Sequence, residues 1–395
     1  MISRYTLDRI DKKKNAGVIS KKPSVLVLAK YYHPYNGGIE NATRIFCEGM
    51  VQTNDVQVIS FNSEPGFSSE CVYGVGVRRY PVHFTAKSQP ISIGYFLAVL
   101  CSRADVIHFH APNVVASLAL ALRPAKKTIV VHHMDIYGRP KLRRLARNLY
   151  DKVLKRATLL IVTSLKNAHV SADLRVKVPT RAVPLGIEPS DYTVDEVLLA
   201  EAGAWRRELA GDQPLIGFVG RHARYKGIDI LLQAIARLPG VHLAIGGKGP
   251  YQAEMRALAI ELMIADRVHF IGEISHRDKL KLLSAIDVFA FPSTEITEAF
   301  GISQLEAMLL GAAVVASELP TGVSDVSRNN ETALTVPPGD AEALAAAIGR
   351  LLADDALRQR LVQKAREGVL REFTTAVMTR QYNALNDAVI AGTLT

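Results

Sequence analysis

Short apolar runs alternate with segments of helical spacing along almost the whole chain of 395 residues. Runs such as 159–164 and 214–221 are short and apolar enough to be buried strands. Strands that alternate with helices pair in parallel, and the helices then cover both faces of the sheet. A polar stretch at 189–212 interrupts the alternation, which afterwards restarts. The sequence therefore predicts an α/β protein with two parallel-sheet domains.

The interruption also sets the predicted domain boundaries. We place a basic tail at 1–22, a first domain at 23–188 and a second at 189–372. Residues 341–370 have helical spacing, and 373–391 forms a separate last helix. Two domains of this size are ordinary for a chain of this length.

Charge and cysteine usage limit the class of protein. The net charge is +10, but residues 1–22 hold +5 and residues 139–156 hold +7, so the remainder is nearly neutral. Apolar runs are interrupted well before the ~18 residues that a membrane span needs, and the basic N-terminus lacks the apolar core of a secretory signal. Three widely spaced cysteines fit no disulfide or metal pattern, which favours a cytoplasmic location.

The second basic segment has the spacing of an amphipathic helix at 141–157. Such a helix can be an ordinary surface helix packed on the sheet, or it can bind an anionic membrane. The eight cations of residues 139–156 favour the membrane, with Arg143, Arg144 and Arg147 facing the lipid. Nucleic acid is the alternative anionic partner, but no recognition motif or aromatic stacking pattern accompanies the charge, so we expect no nucleic-acid binding.

The stretch 291–311 (FPSTEITEAFGISQLEAMLLG) carries the strongest chemical signal. It predicts a strand end followed by a helix, with Gly301 at the junction, where free N–H groups and the helix dipole favour a phosphate. Glu298 and Glu306 flank this point. Carboxylates would repel a phosphate but bind sugar hydroxyls, so the combination suggests a sugar nucleotide. A capped helix with two surface acids remains the plain alternative.

Other loops predicted at the same sheet edge carry complementary groups. Arg221 and Lys226 follow one strand, and two cations there can neutralise a diphosphate. Gly247 and Gly249 lie in a glycine-rich loop after the next strand, where a ribose or base can approach the backbone. Ile274 follows the next strand, where its side chain could form one wall of a pocket for the base.

Two elements of the first domain complete the predicted site. Gly37 and Gly38 form a tight loop between the first strand and the first helix, although a glycine pair alone is more often just a turn. The G-x-G-x-x-G spacing of dinucleotide-binding proteins is absent. His133 lies at the carboxyl end of a strand, with Asp135 two residues later. Open α/β sheets bind ligands at that edge.

With these residues assembled, the chain resembles the retaining GT-B glycosyltransferases of family 4 (glycosyl transferase group 1) over roughly residues 24–380. The motifs that carry the resemblance are GGIE at 37–40, HMD at 133–135, RHARYKG at 221–227, GGKG at 246–249 and EAFGISQLEAM at 298–308. With LPTGV and VPPGD further on, the chain looks most like bacterial surface-polysaccharide transferases, often mannosyltransferases. Asn330 and Ala333 depart from the glycines that family members often have there.

The resemblance implies a role for each motif residue. Arg221 and Lys226 would hold the donor diphosphate, with backbone N–H groups near Gly38 and at Phe300, Gly301 and Ile302 stabilising its charge. Glu306 would bind ribose, Glu298 would contact the donor sugar, and His133, supported by Asp135, would orient the reacting sugar. It also implies two Rossmann-like domains facing each other across a cleft, with the last helix (373–395) crossing back to the first domain.

The function implied is retaining transfer of a hexose, with mannose favoured, from a GDP- or UDP-sugar to a polyprenyl-diphosphate-linked oligosaccharide at the inner face of the cell membrane. No D-x-D motif occurs, so we expect no metal and no cofactor besides the nucleotide-sugar substrate. Same-fold alternatives are a UDP-hexose-dependent transferase with another acceptor, a sugar-nucleotide epimerase, or a phosphorylase. The phosphorylase is disfavoured because no obvious cofactor lysine is present.

Overall fold

The computed structural model describes residues 22–35, 37–86, 89–124, 126–136 and 140–394. The predicted basic tail lies outside these residues except for Lys22, whose ammonium group donates a 3.0 Å hydrogen bond to the Val51 carbonyl. The described chain forms two α/β units, each built on its own mainly parallel sheet.

The first unit contains these strands and helices: β1 (Ser24–Leu28), α1 (Gly38–Met50), β2 (Asp55–Phe61), β3 (Ser68–Val72), β4 (Val75–Tyr80), β5 (Phe84–Ala86), β6 (Gln89–Ile91), α2 (Ile93–Cys101), β7 (Val106–Ala111), α3 (Val114–Leu122), β8 (Lys127–His132), α4 (Pro140–Leu154), β9 (Leu159–Val162), α5 (Leu165–Val170) and β10 (Thr180–Ala182). The sheet order is β10-β9-β8-β7-β1-β2-β4-β3, and β5 and β6 form a separate hairpin.

The second unit contains α6 (Glu196–Ala210), β11 (Leu215–Val219), α7 (Ile228–Ala236), β12 (His242–Gly246), α8 (Gln252–Glu261), β13 (Val268–Gly272), α9 (His276–Ala285), β14 (Val288–Phe291), α10 (Ile302–Leu309), β15 (Ala313–Ser317), α11 (Val323–Val326), β16 (Leu334–Val336), α12 (Ala341–Ala353) and α13 (Asp355–Glu372). Its sheet order is β13-β12-β11-β14-β15-β16, with every neighbouring pair parallel. The predicted α/β class with parallel sheets is confirmed.

Both faces of each sheet are covered, which explains why the strands read as continuous apolar runs. In the first unit, α2, α3 and α4 pack on one face, and α1 packs on the other. In the second unit, α7, α8 and α12 cover one face, and α9 and α10 the other. Every residue of β7, β9, β14 and β15 is buried.

The last helix, α14 (Thr375–Ala391), returns to the first unit, as the resemblance implies. Its Tyr382 is fully buried and stacks on Phe46 of α1, with ring centroids 3.9 Å apart. The Tyr382 hydroxyl and the Asn386 amide oxygen lie 2.6 and 2.9 Å from the two ring nitrogens of His108 on β7. The C-terminal segment is therefore part of the first core.

The polar stretch at 189–212 contains a short 3-10 turn at Pro189–Tyr192 and then α6. Two other segments differ from the sequence predictions. The predicted helix at 341–370 is two helices, since Asp354 caps α13 by accepting a 2.9 Å hydrogen bond from the Leu357 amide. The antiparallel pairing of β3 with β4 was not predicted. The domain boundaries themselves stay predictions.

Candidate active site

Glu298 and Lys226 meet at the carboxyl edge of the second sheet. Lys226 ends a 3-10 turn after β11, and Glu298 lies in the loop between β14 and α10. The Lys226 ammonium group forms an ion pair with Glu298 Oε2, and the Ser293 hydroxyl donates a 3.0 Å hydrogen bond to the same oxygen. Glu298 is only 8% exposed. The cation and the hydroxyl hold this carboxylate in one orientation, and Oε1 accepts no hydrogen bond within the described part of the chain.

Arg221 lies at the other end of the loop that carries Lys226. Its side chain is exposed, and within the described ranges its guanidinium group makes no hydrogen bond or ion pair. An exposed guanidinium group beside a lysine at a strand end is suited to a bidentate contact with a phosphate.

Helix α10 begins directly after Gly301, at the same sheet edge. Gly301 has φ of +80°, and a Cβ there would overlap the ring of Phe291, so only glycine fits this junction. Phe300 points inward: it is 3% exposed, and its ring packs edge-on against Phe373 at 5.9 Å. Its side chain therefore anchors the loop, and only its backbone is placed to bind a ligand. The N–H groups of the first helical turn lack intrahelical acceptors and suit an anion.

Glu306 lies one turn into α10 and has two partners that the sequence did not suggest. Its Oε1 accepts hydrogen bonds from the Tyr192 hydroxyl (2.6 Å) and the Lys279 ammonium group (2.5 Å). Burial, together with the Glu306 charge, raises the pKa of Tyr192, so this phenol stays protonated and donates. Because both donors use Oε1, Oε2 accepts no hydrogen bond among the described residues and remains available to a ligand. Lys279 could have been suspected, since it lies in the first turn of a helix at the ligand edge; Tyr192 carried no such signal.

An open cleft of about 880 Å³ separates the two units beside Glu306. From the second unit, Glu306, Ile302 and Lys279 line it. From the first unit, Gly38 and Arg44 of α1 face them. The predicted donor-binding residues Gly38, Ile302 and Glu306 therefore share one cavity.

The glycine-rich loop after β12 has a structural reason for its glycines. Gly247 has φ of +116°, and a Cβ at Gly247 or Gly249 would overlap the backbone of Gly220 or His222 in the neighbouring loop. Ile274 packs against Gly246, where a Cβ would also be crowded. From the sequence, we explained these glycines by the close approach of a ligand to the backbone. The structure shows that two loops approach each other closely at these positions. Their contact with a donor stays a prediction, as does that of Gly37, which precedes α1.

His133 follows β8 and lines a smaller pocket together with Asn167, Thr297 and Ala299. Its Nε2 lies 2.9 Å from Nδ1 of His110. Burial, with a smaller contribution from neighbouring His132, lowers the pKa of His133 to about 3. The ring is therefore neutral at pH 7 and can act as a hydrogen-bond donor or acceptor, not as a cation.

Asp135 does not support His133 as predicted. Its carboxylate lies 3.3 Å from His132 Nε2, accepts a hydrogen bond from the Ser171 hydroxyl, and accepts a 2.9 Å bond from the Ala172 amide. Burial acts to raise its pKa, but these hydrogen bonds outweigh it and lower the pKa to about 2. Asp135 therefore ties the end of β8 to the loop after α5.

Asn167 of α5 joins the two units beside the His133 pocket. Its amide group donates a 2.9 Å hydrogen bond to the Ala299 carbonyl, and its side-chain oxygen accepts a 3.0 Å bond from the Gly322 amide. Ala299 adjoins Glu298, so Asn167 links the first unit directly to the loop that carries that carboxylate. No sequence motif identified it, because its partners are backbone groups distant in sequence.

The three arginines of α4 that are predicted to face a membrane differ in exposure. Arg147 is bound to Asp173, which is fully buried, so it connects α4 to the body of the domain and does not face outward. Arg143 is half-buried, whereas Arg144 is exposed. No helix within the described residues is long and apolar enough to span a membrane.

Two Rossmann-like units, a cleft lined from both sides and a C-terminal helix that crosses back define the GT-B class of glycosyltransferase. The structure of the HepE protein of Anabaena, which holds UDP and glucose, is similar over 93% of this chain and 100% of that one, with a TM-score of 0.73 at 19% identity.

The sequence comparisons identify the family. The profile of "Glycosyl transferases group 1" matches residues 203–368, and that of "Glycosyltransferase Family 4" matches residues 36–191. The D-rhamnosyltransferase WbpZ of Pseudomonas aeruginosa is 32% identical over 76% of this chain and 79% of that protein. The O-antigen chain mannosyltransferase C of Escherichia coli is 31% identical over 70% and 74%. The chain belongs to the glycosyltransferase family that these two profiles and these relatives represent.

Proposed function

We propose that this glycosyltransferase moves a hexose, with mannose favoured, from a nucleotide-diphosphate sugar to a polyprenyl-diphosphate-linked oligosaccharide in surface-polysaccharide synthesis. The observation that carries the proposal is the placement of Lys226, Glu298 and Glu306 at one sheet edge, with Glu306 across a cleft from Gly38. Relatives named as a rhamnosyltransferase and an O-antigen mannosyltransferase support the sugar class and the type of product. The UDP and glucose held by HepE support a sugar-nucleotide donor.

The cations and the α10 N-terminus would stabilise the leaving diphosphate. Arg221 is exposed and ready to bind, whereas Lys226 already contacts Glu298. Lys226 carries three donors, so it can keep this contact and bind a phosphate oxygen as well. Negative charge grows on the diphosphate as the glycosidic bond breaks, and fixed cations and N–H groups lower that barrier. These groups would take the part that a metal ion has in other transferases.

Glu298 and His133 would act on the transferred sugar. Glu298 Oε1 can accept a hydrogen bond from a sugar hydroxyl, and neutral His133 can bind another from the opposite unit. We favour a retaining mechanism in which the acceptor hydroxyl attacks the donor sugar on the same face from which the diphosphate departs. The departing diphosphate takes the acceptor proton. Trapping of a glycosyl-enzyme intermediate would contradict this route.

The donor is tested most directly by thermal shift with GDP, UDP, GDP-mannose and UDP-glucose, because a ligand that binds the folded state raises its melting temperature. We expect a clear rise with GDP-mannose. The same donor is then incubated with and without a lipid-linked acceptor. Transfer only with acceptor supports the proposal, whereas an epimerised nucleotide sugar without acceptor indicates the epimerase alternative. A response to UDP-glucose alone would replace the donor and keep the reaction class.

We also propose that the protein binds the cytoplasmic membrane surface through α2, α3 and α4. These helices lie side by side on one sheet face, and each presents large apolar residues to solvent. The exposed residues are Ile93, Leu97, Leu118, Leu122, Leu142 and Leu145. The exposed cations Lys141 and Arg144 lie beside the last two. Apolar side chains that can insert, next to cations, match an anionic bilayer.

Vesicle binding tests this surface. Arg144→Gln should weaken binding to anionic vesicles about fivefold at low salt, since a cation near such a surface contributes about 1 kcal/mol, and salt should abolish the difference. Leu145→Ser should weaken binding even at high salt. Arg147→Gln is the matched control, because it should lower thermal stability without changing vesicle affinity. Equal vesicle binding by all variants would exclude the surface.

A further inference from the structure

A buried hydrogen-bonded row lies behind His133. Thr43 of α1, His110 of β7 and His133 are 1%, 2% and 9% exposed, respectively. His110 Nδ1 lies 2.9 Å from the Thr43 hydroxyl oxygen and 2.9 Å from His133 Nε2. One ring nitrogen therefore serves both neighbours, and its protonation decides the direction of both contacts.

Thr43 restricts which atom can carry the proton. Its hydroxyl donates a 2.8 Å hydrogen bond to the Ile39 carbonyl, one helical turn earlier. A hydroxyl has a single proton, so the oxygen presents a lone pair to His110. If His110 Nδ1 carried no proton, its lone pair would face a lone pair of the Thr43 oxygen at 2.9 Å. Burial lowers the pKa of both histidines, so each ring carries one proton at pH 7, and that of His110 belongs on Nδ1.

The remaining contact then has a fixed direction. His110 Nδ1–H is shared between the Thr43 oxygen and His133 Nε2 as a three-centre hydrogen bond. His133 Nε2 is therefore bare, and His133 holds its own proton on Nδ1. In the opposite arrangement His110 would carry its proton on Nε2, a buried atom that has no hydrogen-bond partner in the part of the chain that the structure describes. A buried N–H without an acceptor is disfavoured.

We infer that Thr43 and His110 are positioning residues that fix His133 as the Nδ1–H tautomer. His133 then presents a hydrogen-bond donor, not an acceptor, to an oxygen of the sugar in the pocket beside Ala299. This inference rests on the proposed glycosyl transfer for its catalytic meaning, but the tautomer itself is a property of the protein without substrate.

The tautomer is measured by NMR of the full chain with ring-¹⁵N histidine, with His133→Gln used to assign the His133 signals. Long-range proton–nitrogen spectra distinguish a protonated ring nitrogen from a bare one. We expect a protonated Nδ1 and a bare Nε2 in His133. A proton on Nε2 would overturn the inference, whether or not any transfer activity is found.

Variants separate positioning from packing. Thr43→Val removes the lone pair and should shift His133 toward the Nε2–H form, whereas Thr43→Ser should keep the original tautomer. His110→Asn keeps an N–H donor near the Nδ1 position, and His110→Phe removes it. We expect His110→Phe to lower kcat about tenfold with little change in KM, and His110→Asn to restore most of the rate. An unchanged tautomer in Thr43→Val, or equal loss in Asn and Phe, would refute the assigned role.

Discussion

Glu306→Ala should chiefly weaken nucleotide binding. Glu306 is 6% exposed, and its Oε1 is already occupied by Tyr192 and Lys279, so a ribose hydroxyl would bind a largely desolvated carboxylate at Oε2. A hydrogen bond to a charged group contributes about 1.5–3 kcal/mol. Its loss should therefore raise the Kd for the nucleotide diphosphate by about 10- to 150-fold. Glu306→Gln keeps a neutral acceptor and should cost less.

Isothermal titration with GDP measures Kd, and initial rates at saturating donor measure kcat. Glu261→Gln, an exposed carboxylate at the end of α8, is the matched control and should leave both values unchanged. Glu298→Ala should show the reverse pattern, with kcat lowered and Kd little changed. If Glu306→Ala leaves Kd unchanged, the ribose assignment is wrong. If both variants alter only Kd, by equal factors, the division of roles is wrong.

Three further predictions follow from other contacts. Lys226→Met should lower kcat/KM by at least about tenfold, because it removes a cation from the leaving group and leaves the buried Glu298 charge unpaired; an active variant with unchanged rate would contradict this. Asn167→Ala removes two hydrogen bonds of about 1 kcal/mol each, so kcat should fall about 5- to 30-fold while the GDP affinity stays constant, and a purely affinity-based loss would be inconsistent with a link between domains. Burial, partly offset by Asn386, lowers the pKa of His108 to about 4, so this histidine binds a proton more readily when unfolded. Its contribution to stability is complete above about pH 6.5 and falls by up to about 3 kcal/mol as the pH drops to about 4. Urea titrations across this range should show a shallower pH dependence for His108→Gln than for the wild type, and identical slopes would refute the assignment.

The architecture was largely predictable from the sequence because it follows from local patterns. Apolar runs such as that in β9 are buried on both faces, and this is the property that marks a parallel strand. Boundaries were less predictable. Asp354 divides the run of helical spacing because it caps a new helix. A single aspartate in a polar segment does not by itself predict a helix cap.

The residues of the candidate site were also only partly predictable from the sequence. Glu298 and Lys226 could be placed at one edge of the sheet in advance, because parallel strands deliver their following loops to the same edge. Their ion pair was not predicted. The partners Tyr192, Lys279 and Asn167 could not, since each contact joins elements that are far apart in sequence and follows no spacing rule. The error at Asp135 has the same origin, because proximity in sequence to His133 did not reveal that the carboxylate turns toward His132.

The sequence by itself determined most of the alternation of strands and helices, the class of fold and the chemical types at the ligand edge. These depend on hydrophobic period and on motif spacing, which are local properties. Only the tertiary structure decided which oxygen of Glu306 binds Tyr192 and Lys279, and which arginine of α4 is exposed. It also decided which ring nitrogen of His133 contacts His110. Each of these depends on the packing of side chains from several elements, where a shift of about 1 Å changes a hydrogen-bond partner.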